Sequence, residues 1–366
     1  MATKLLSIGT AVPNGGLQQG RLRDFFASQP GIDARTRRII TAAFDHSGID
    51  RRHAAIELLD DASGRFTDAE GKLLRPTTGE RNRVYREQAP PLFAAAAEQA
   101  LARAAIEPDE VTHVITASCT GFFAPGPEYR LVRDLGLQNT VERYHLGFMG
   151  CAAAFPALRA AKRICDAVQG AVVLVACAEL CSLHIRSSND AEQIVSSAVF
   201  ADGAAAAVVT SGEPRRGTAL LEMGDFTTAT TSEGEADMDW DIGDSGFDMR
   251  LTPQVPRIVG REIEPVVRTA LGADRSIADV DAWAVHPGGK AVLDRVQSSL
   301  ELGERDMAAS REILRTFGNM SSATVLFILE RILADDSLQD AASVLGVAFG
   351  PGLTVETAQF TRIAPV

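Results

Sequence analysis

Along the chain, short apolar or β-branched runs alternate with stretches whose apolar residues return every three or four positions. The first pattern predicts buried strands and the second amphipathic helices. Residues 3–12 read as an opening strand that Pro13 ends, and 17–45 read as helical. Residues 60–83, polar and glycine-containing, predict a loop. An alanine-rich helix from Pro90 to Ala105 leads into the β-branched strand 111–116. A short apolar segment that reads as a buried strand precedes Cys151, and apolar residues at 154, 155, 158, 161, 164, 165 and 168 then predict a helix over 152–168. Buried strands at 171–177 and 204–210 flank a helix over 191–199. The best-marked break is Ser211-Gly212-Glu213-Pro214, which divides the chain into halves of residues 1–212 and 213–366. In the second half, the Thr-, Asp- and Gly-rich stretch 225–248, with Trp240 and Phe247, predicts a curved cavity edge. A strand at 282–285, a helix at 321–334 and a strand at 344–347 follow. Repeated strand-to-helix units predict a layered α/β architecture, and Cys151 and Asn319, each where a glycine turn enters a helix, hint at an internal duplication.

Composition narrows the class further. The chain has 366 residues, 46% hydrophobic and 23% charged, an ordinary globular composition with room for two halves around one core. A formal charge of -12 argues against nucleic acid as the main partner, because phosphate contacts need clustered lysine and arginine. The opening apolar run is too short for a signal peptide, and no stretch reaches the roughly 20 apolar residues of a membrane span, so the expected location is the cytoplasm. Five cysteines, an odd number without a CxxC pair, argue against a disulfide framework and against zinc. Arg35, Arg37 and Arg38, followed by Arg51 and Arg52, read most simply as a solvated face, with an entrance for a phosphorylated ligand as the alternative.

Three residues carry candidate chemistry. Cys151 stands between Gly150 and a run of alanines, at a strand-to-helix turn where unpaired backbone N–H groups and the helix dipole favour thiolate over thiol. The plain alternative is a small core residue. His286 opens His286-Pro287-Gly288-Gly289 after a strand, and Asn319 follows Gly318 before a helix. A thiolate paired with a histidine can take an acyl group from a thioester, while an amide NH2 with an imidazole N–H can stabilise an enolate or oxyanion. Phe122 and Phe123, beside Pro125-Gly126-Pro127, should line a pocket or an interface.

Four linked motifs then resemble the type III polyketide synthases of the chalcone synthase family, in order and spacing. They are Gly147-Phe148-Met149-Gly150-Cys151, His286-Pro287-Gly288-Gly289, Gly318-Asn319-Met320-Ser321-Ser322-Ala323 and Gly350-Pro351-Gly352-Leu353-Thr354-Val355-Glu356. Phe200-Ala201-Asp202-Gly203 resembles the family's Phe-Gly-Asp-Gly segment, with Ala201 in place of a glycine. The resemblance covers residues 3–360 and implies a thiolase-like αβαβα layered fold of two pseudo-duplicated halves, acting as a homodimer. It implies decarboxylative condensation of an acyl-CoA starter with malonyl-CoA, then cyclisation to a pyrone, resorcinol or related phenolic, with no metal or redox cofactor. In that reading Cys151 holds the chain, His286 keeps it ionised and, with Asn319, binds the malonyl carbonyl. Phe200 separates the CoA tunnel from the cavity. Phe247 is preferred to Met249 as the second gatekeeping residue, and Gly352 borders the pocket. CoA contacts fall to His46 and to Arg38 or Arg37, with Gly288, Gly289 and Lys290 along the tunnel wall. Cys119 and Cys181 stand where plant members carry threonines, which resembles the bacterial branch, including tetrahydroxynaphthalene, phloroglucinol and alkylresorcinol or alkylpyrone synthases. An initiating 3-ketoacyl carrier-protein synthase has a similar fold and triad, but the His-Pro-Gly-Gly and Gly-Pro-Gly-Leu motifs oppose it. Intact Cys151, His286 and Asn319 oppose a non-catalytic scaffold subunit.

Overall fold

The computed structural model describes residues 2–56, 58–59, 64–215 and 217–365. The first half holds β1 (Lys4–Ala11), β2 (Gly16–Gln18), α1 (Gln19–Ala27), α2 (Ala34–Asp45), β3 (Arg51–His53), α3 (Thr78–Ala104), β4 (His113–Ser118), α4 (Pro127–Asp134), β5 (Glu142–Gly147), α5 (Ala154–Ala167), β6 (Val172–Leu180), α6 (Ala191–Val199) and β7 (Asp202–Thr210). The second holds β8 (Leu220–Thr230), β9 (Met238–Gly243), β10 (Gly246–Leu251), α7 (Val255–Leu271), β11 (Ala282–Val285), α8 (Lys290–Ser299), α9 (Ala308–Phe317), α10 (Thr324–Leu333), β12 (Ala342–Gly350) and β13 (Thr354–Ile363).

Nine strands form one mixed sheet in the order β11-β12-β13-β8-β1-β7-β6-β4-β5. Its strands alternate between two cores, as period-two geometry requires of a sheet covered on both faces. Val173, Val175 and Cys177 of β6 pack with α5 and α10, while Leu174, Ala176 and Ala178 pack with α3. In the other half Ala282 and Ala284 of β11 face α5 and α10, while Trp283 and Val285 face α7 and α8. The layers are therefore α3, the first half-sheet, the central pair α5 and α10, the second half-sheet, then α7 and α8. This is the expected thiolase-like arrangement. Both central helices follow a candidate reactive residue, which places Cys151 and Asn319 at the heart of the molecule.

Three boundaries differ from the sequence reading. The stretch 17–45 is broken into β2, α1 and α2, with Asp33 capping α2 by accepting from Thr36 N at 2.7 Å. The helix expected from Pro90 starts at Thr78, because Thr77 and Glu80 form a capping box, and Pro90 and Pro91 lie inside it. The loop expected over 60–83 therefore ends at Thr77; residues 60–63 lie outside the described ones. Third, the segment before Cys151 is a strand but not a buried one: β5 is the sheet edge, with Glu142, Arg143, Tyr144 and His145 exposed. Among the described residues no helix is long and apolar enough to cross a membrane.

Candidate active site

Cys151 sits in a single 3-10 turn, Gly150–Ala152, between β5 and α5. The turn needs Gly150, whose φ is +62 and whose added Cβ would lie 2.5 Å from Pro351. The last motif thus packs on the cysteine turn. His286 continues β11, its backbone N donating to Val347 O at 2.8 Å. Asn319 follows α9, where Gly318 takes φ 76. Its backbone N donates to Val199 O at 2.9 Å and its carbonyl accepts from Ala201 N at 2.8 Å, which ties it to the Phe200 segment. Ser321 N donates to Asn319 Oδ1 at 2.8 Å, fixing the amide so that Nδ2 is the free donor. Cys151 Sγ lies 4.0 Å from both amide atoms.

Cys151, His286 and Asn319 line one chamber of about 30 Å³, with Cys119, Phe200, Ser321, Trp240 and Met249 around them. A wider cavity of about 340 Å³ adjoins it, lined by His46, Gly288, Gly289 and Lys290 among others. The two share Leu251, Val255, Gly288 and Val292, so the wider cavity adjoins the chamber along these residues. A side pocket of about 30 Å³ holds Cys181, His184 and Phe247 and shares Phe200, Trp240 and Met249 with the chamber.

Burial governs the charge states. It pushes the Cys151 thiol up to about 11 against the pull of hydrogen bonds from Ser321 and Asn319, and it holds His286, 1% exposed, down to about 3. Burial thus works against charge on both groups, in opposition to the turn and dipole that favour a thiolate. Among the described residues neither ring nitrogen of His286 has a hydrogen-bond partner, so both are open to the chamber.

Not every expected residue reaches the chamber. Phe247 is one pocket away, stacked on His184 at 4.2 Å, and Met249 occupies the chamber wall instead. Gly352 forms the turn behind Pro351, which does line the chamber, and donates to Met238 O at 3.3 Å. Arg38 is exposed on α2 and does not line the wider cavity, while His46 and Lys290 do; Lys290 is held by Asp294 at 2.6 Å. All five cysteines are free and buried. Glu179, fully buried beneath the chamber, was missed. It accepts from Cys119 N at 3.0 Å, Thr120 Oγ1 at 2.8 Å and Ser322 Oγ at 2.6 Å, and burial raises its carboxyl. Its one signal was a lone acid in an otherwise apolar strand.

The model of the N-terminal domain of chalcone and stilbene synthases matches residues 1–214, and that of the C-terminal domain matches residues 226–364. The chain belongs to the chalcone and stilbene synthase family. This synthase-family chain is 29% identical over 359 residues, 96% of its length, to a probable polyketide synthase 1 of Dictyostelium discoideum. It spans only 11% of that relative's length. Among solved structures, the C-terminal type III polyketide synthase domain of a Dictyostelium type I/III hybrid is 28% identical, covering 100% of both chains with a TM-score of 0.91. PKS-I from the brown alga Ectocarpus siliculosus is 27% identical, covering 99% of this chain and 98% of its own, with a TM-score of 0.88. A fungal type III polyketide synthase, 24% identical, covers 99% of this chain and 100% of its own with a TM-score of 0.85, and it shows the same fold.

Proposed function

We propose that the protein is a type III polyketide synthase that loads an acyl-CoA starter on Cys151 and extends it with malonyl-CoA. The observation that carries this is the convergence of a thiol, an unpartnered imidazole and an oriented amide on one chamber with a wider cavity adjoining it. In loading, the Cys151 proton passes to His286, the thiolate attacks the thioester carbonyl, and the departing CoA thiolate takes the proton back. In extension, the malonyl carboxylate leaves as CO2, and the enolate oxygen that forms is held by Asn319 Nδ2–H and an imidazole N–H of His286. The enolate carbon then attacks the acyl thioester, displacing Cys151 and lengthening the chain by one unit. These steps call on no metal and no redox cofactor, because the thioester supplies the leaving group and decarboxylation the carbanion. Cyclisation to a pyrone, resorcinol or related phenolic would end the sequence.

Lys290 and His46 at the mouth, with Arg38 one turn before Ala42 on α2, are the proposed contacts of the CoA phosphates. The bacterial-type reading rests on the Cys119 and Cys181 thiols at the chamber and its side pocket. A homodimer is proposed across β5, whose open edge carries Tyr144 at 45% exposure with Met149 and Phe122 at 38% beside it. Free, buried thiols fit a reducing compartment, and we assign the protein to the cytoplasm. The test is to incubate the protein with malonyl-CoA and a panel of acyl-CoAs. Cys151→Ala should abolish acylation, read by intact mass, and all product, while Cys165→Ala retains both. Acylation that persists in Cys151→Ala would overturn the assignment.

A further inference from the structure

The carbonyls at the end of a helix have no partner within it. At the C-terminus of α6 four consecutive carbonyls are each satisfied from outside the helix. Ser197 O accepts from Arg52 Nη1 at 2.8 Å, Ala198 O from Gln19 Nε2 at 2.8 Å, Val199 O from Asn319 N at 2.9 Å, and Phe200 O from Arg52 Nη1 at 2.6 Å. Two of the four bonds come from one guanidinium. Arg52 is 2% exposed, so it does not belong to the solvated face on which its sequence context placed it. Its stem fills the space beside the residue that precedes Asn319: a Cβ on Gly318 would lie 2.9 Å from Arg52 Cγ. Asp202, itself fully buried and bonded by Ser182 N at 2.7 Å and Ala55 N at 2.6 Å, is the acid that attracts this charge.

Arg52 therefore touches both segments on which enolate formation depends, from the side away from the chamber. A cation at a helix C-terminus interacts favourably with the dipole, and a planar guanidinium spans two carbonyls better than an ammonium. We infer that Arg52 is a positioning residue for decarboxylation, holding Phe200 directly and Asn319 through the backbone bonds between 199–201 and 319. This rests on the roles proposed above for Phe200 and Asn319. Cys151 hangs on a different turn, Gly150–Ala152, so thioester formation should depend on Arg52 far less.

The experiment measures malonyl-CoA decarboxylation, Cys151 acylation by a starter acyl-CoA, and Tm in Arg52→Gln, Arg52→Lys and Gln19→Leu. Misplacement by a fraction of an ångström should lower kcat for decarboxylation on the order of tenfold or more in Arg52→Gln. The KM for malonyl-CoA and the acylation rate should stay within about threefold of the parent. Arg52→Lys should recover part of the loss, and it carries the test alone if Arg52→Gln does not fold. Gln19 caps the same helix end without touching Phe200 or Gly318, so Gln19→Leu, which removes that cap, should lower Tm while leaving the ratio of the two rates at the parental value. Equal loss of both rates in a folded Arg52 variant, or no loss of decarboxylation, overturns the inference. A parent protein that acylates Cys151 but never decarboxylates malonyl-CoA instead overturns the functional reading, and this inference with it.

Discussion

Asn319 is the residue whose role geometry narrows most. Its Oδ1 is engaged by Ser321 N at 2.8 Å, leaving Nδ2 as the donor toward the chamber. Removing that donor in Asn319→Ala should reduce malonyl-CoA decarboxylation by on the order of a hundredfold, comparable to losing one oxyanion-hole donor. Starter loading on Cys151 should persist, because it uses the thiol and His286. Parallel assays of acylation and CO2 release check this, and decarboxylation at the parental rate would show Asn319 misassigned. That Cys151, His286 and Asn319 line one chamber could be expected from the sequence because each lies within two residues of a glycine at an element end, where backbone turns hold side chains. The burial of Arg52 could not. Arg51 and Arg52 are adjacent and alike in composition, yet Arg51 is exposed and Arg52 is buried against α6. Partners nearly 150 residues away, Ser197 O and Phe200 O, distinguish them. Met249 and Phe247 were confusable for a related reason: successive odd positions of β10 share a face, and the packing of His184 on Phe247 decides which of them meets the chamber.

At the scale of elements, β1 and α3 meet backbone to backbone with no room for a side chain between them. A Cβ on Gly9 would lie 2.2 Å from Ala96 O and 2.5 Å from Ala100 N, both backbone atoms of a helix that cannot retreat without leaving Ala97 and Phe93 unpacked. Gly9→Val should therefore destabilise the fold by at least about 1–3 kcal/mol, the usual cost of overpacking, read as a lower midpoint in urea. A variant as stable as the parent would mean that the helix slides freely over the strand. Periodicity located β1, β4, β6, β7, β11 and β12 and the central helices α5 and α10, since burial on both faces writes long apolar runs, but it did not mark β8 or β13 as strands. It failed where short-range chemistry sets a boundary. Pro90 looked like a helix start, but the capping box of Thr77 and Glu80 begins α3 earlier. The short apolar stretch before Cys151 suggested interior, but the polar residues of β5 mark an edge that only pairing order reveals.

Taken whole, the molecule buries its ionisable groups unevenly, and that fixes how it meets acid. Burial holds His184 and His286 each near 3 rather than 6.5. As pH falls through 6.5 the unfolded chain binds protons that the folded chain refuses until near 3, so these groups withdraw stability across that window and leave it intact above. Asp202, raised to about 6 from 3.8, takes its proton first in the folded chain and offsets part of the loss. Tm should fall between about pH 7 and about pH 5, and fall less steeply in His286→Asn. An equal slope in that variant would mean that His286 is charged in the folded protein. The β9–β10 hairpin carries a different consequence. It is a two-stranded sheet apart from the nine, fastened by side chains: His184 accepts from Phe247 N at 3.0 Å, Arg186 donates to Phe247 O at 3.0 Å, and Gln193 donates to Met249 O at 2.9 Å. Mechanically, this wall of the chamber, which carries Trp240 and Met249, is moored by side chains and not by the ladder of the nine-stranded sheet. In the proposed extension reaction it is the wall whose mooring, and not whose sheet pairing, would set how the chamber makes room for a longer chain.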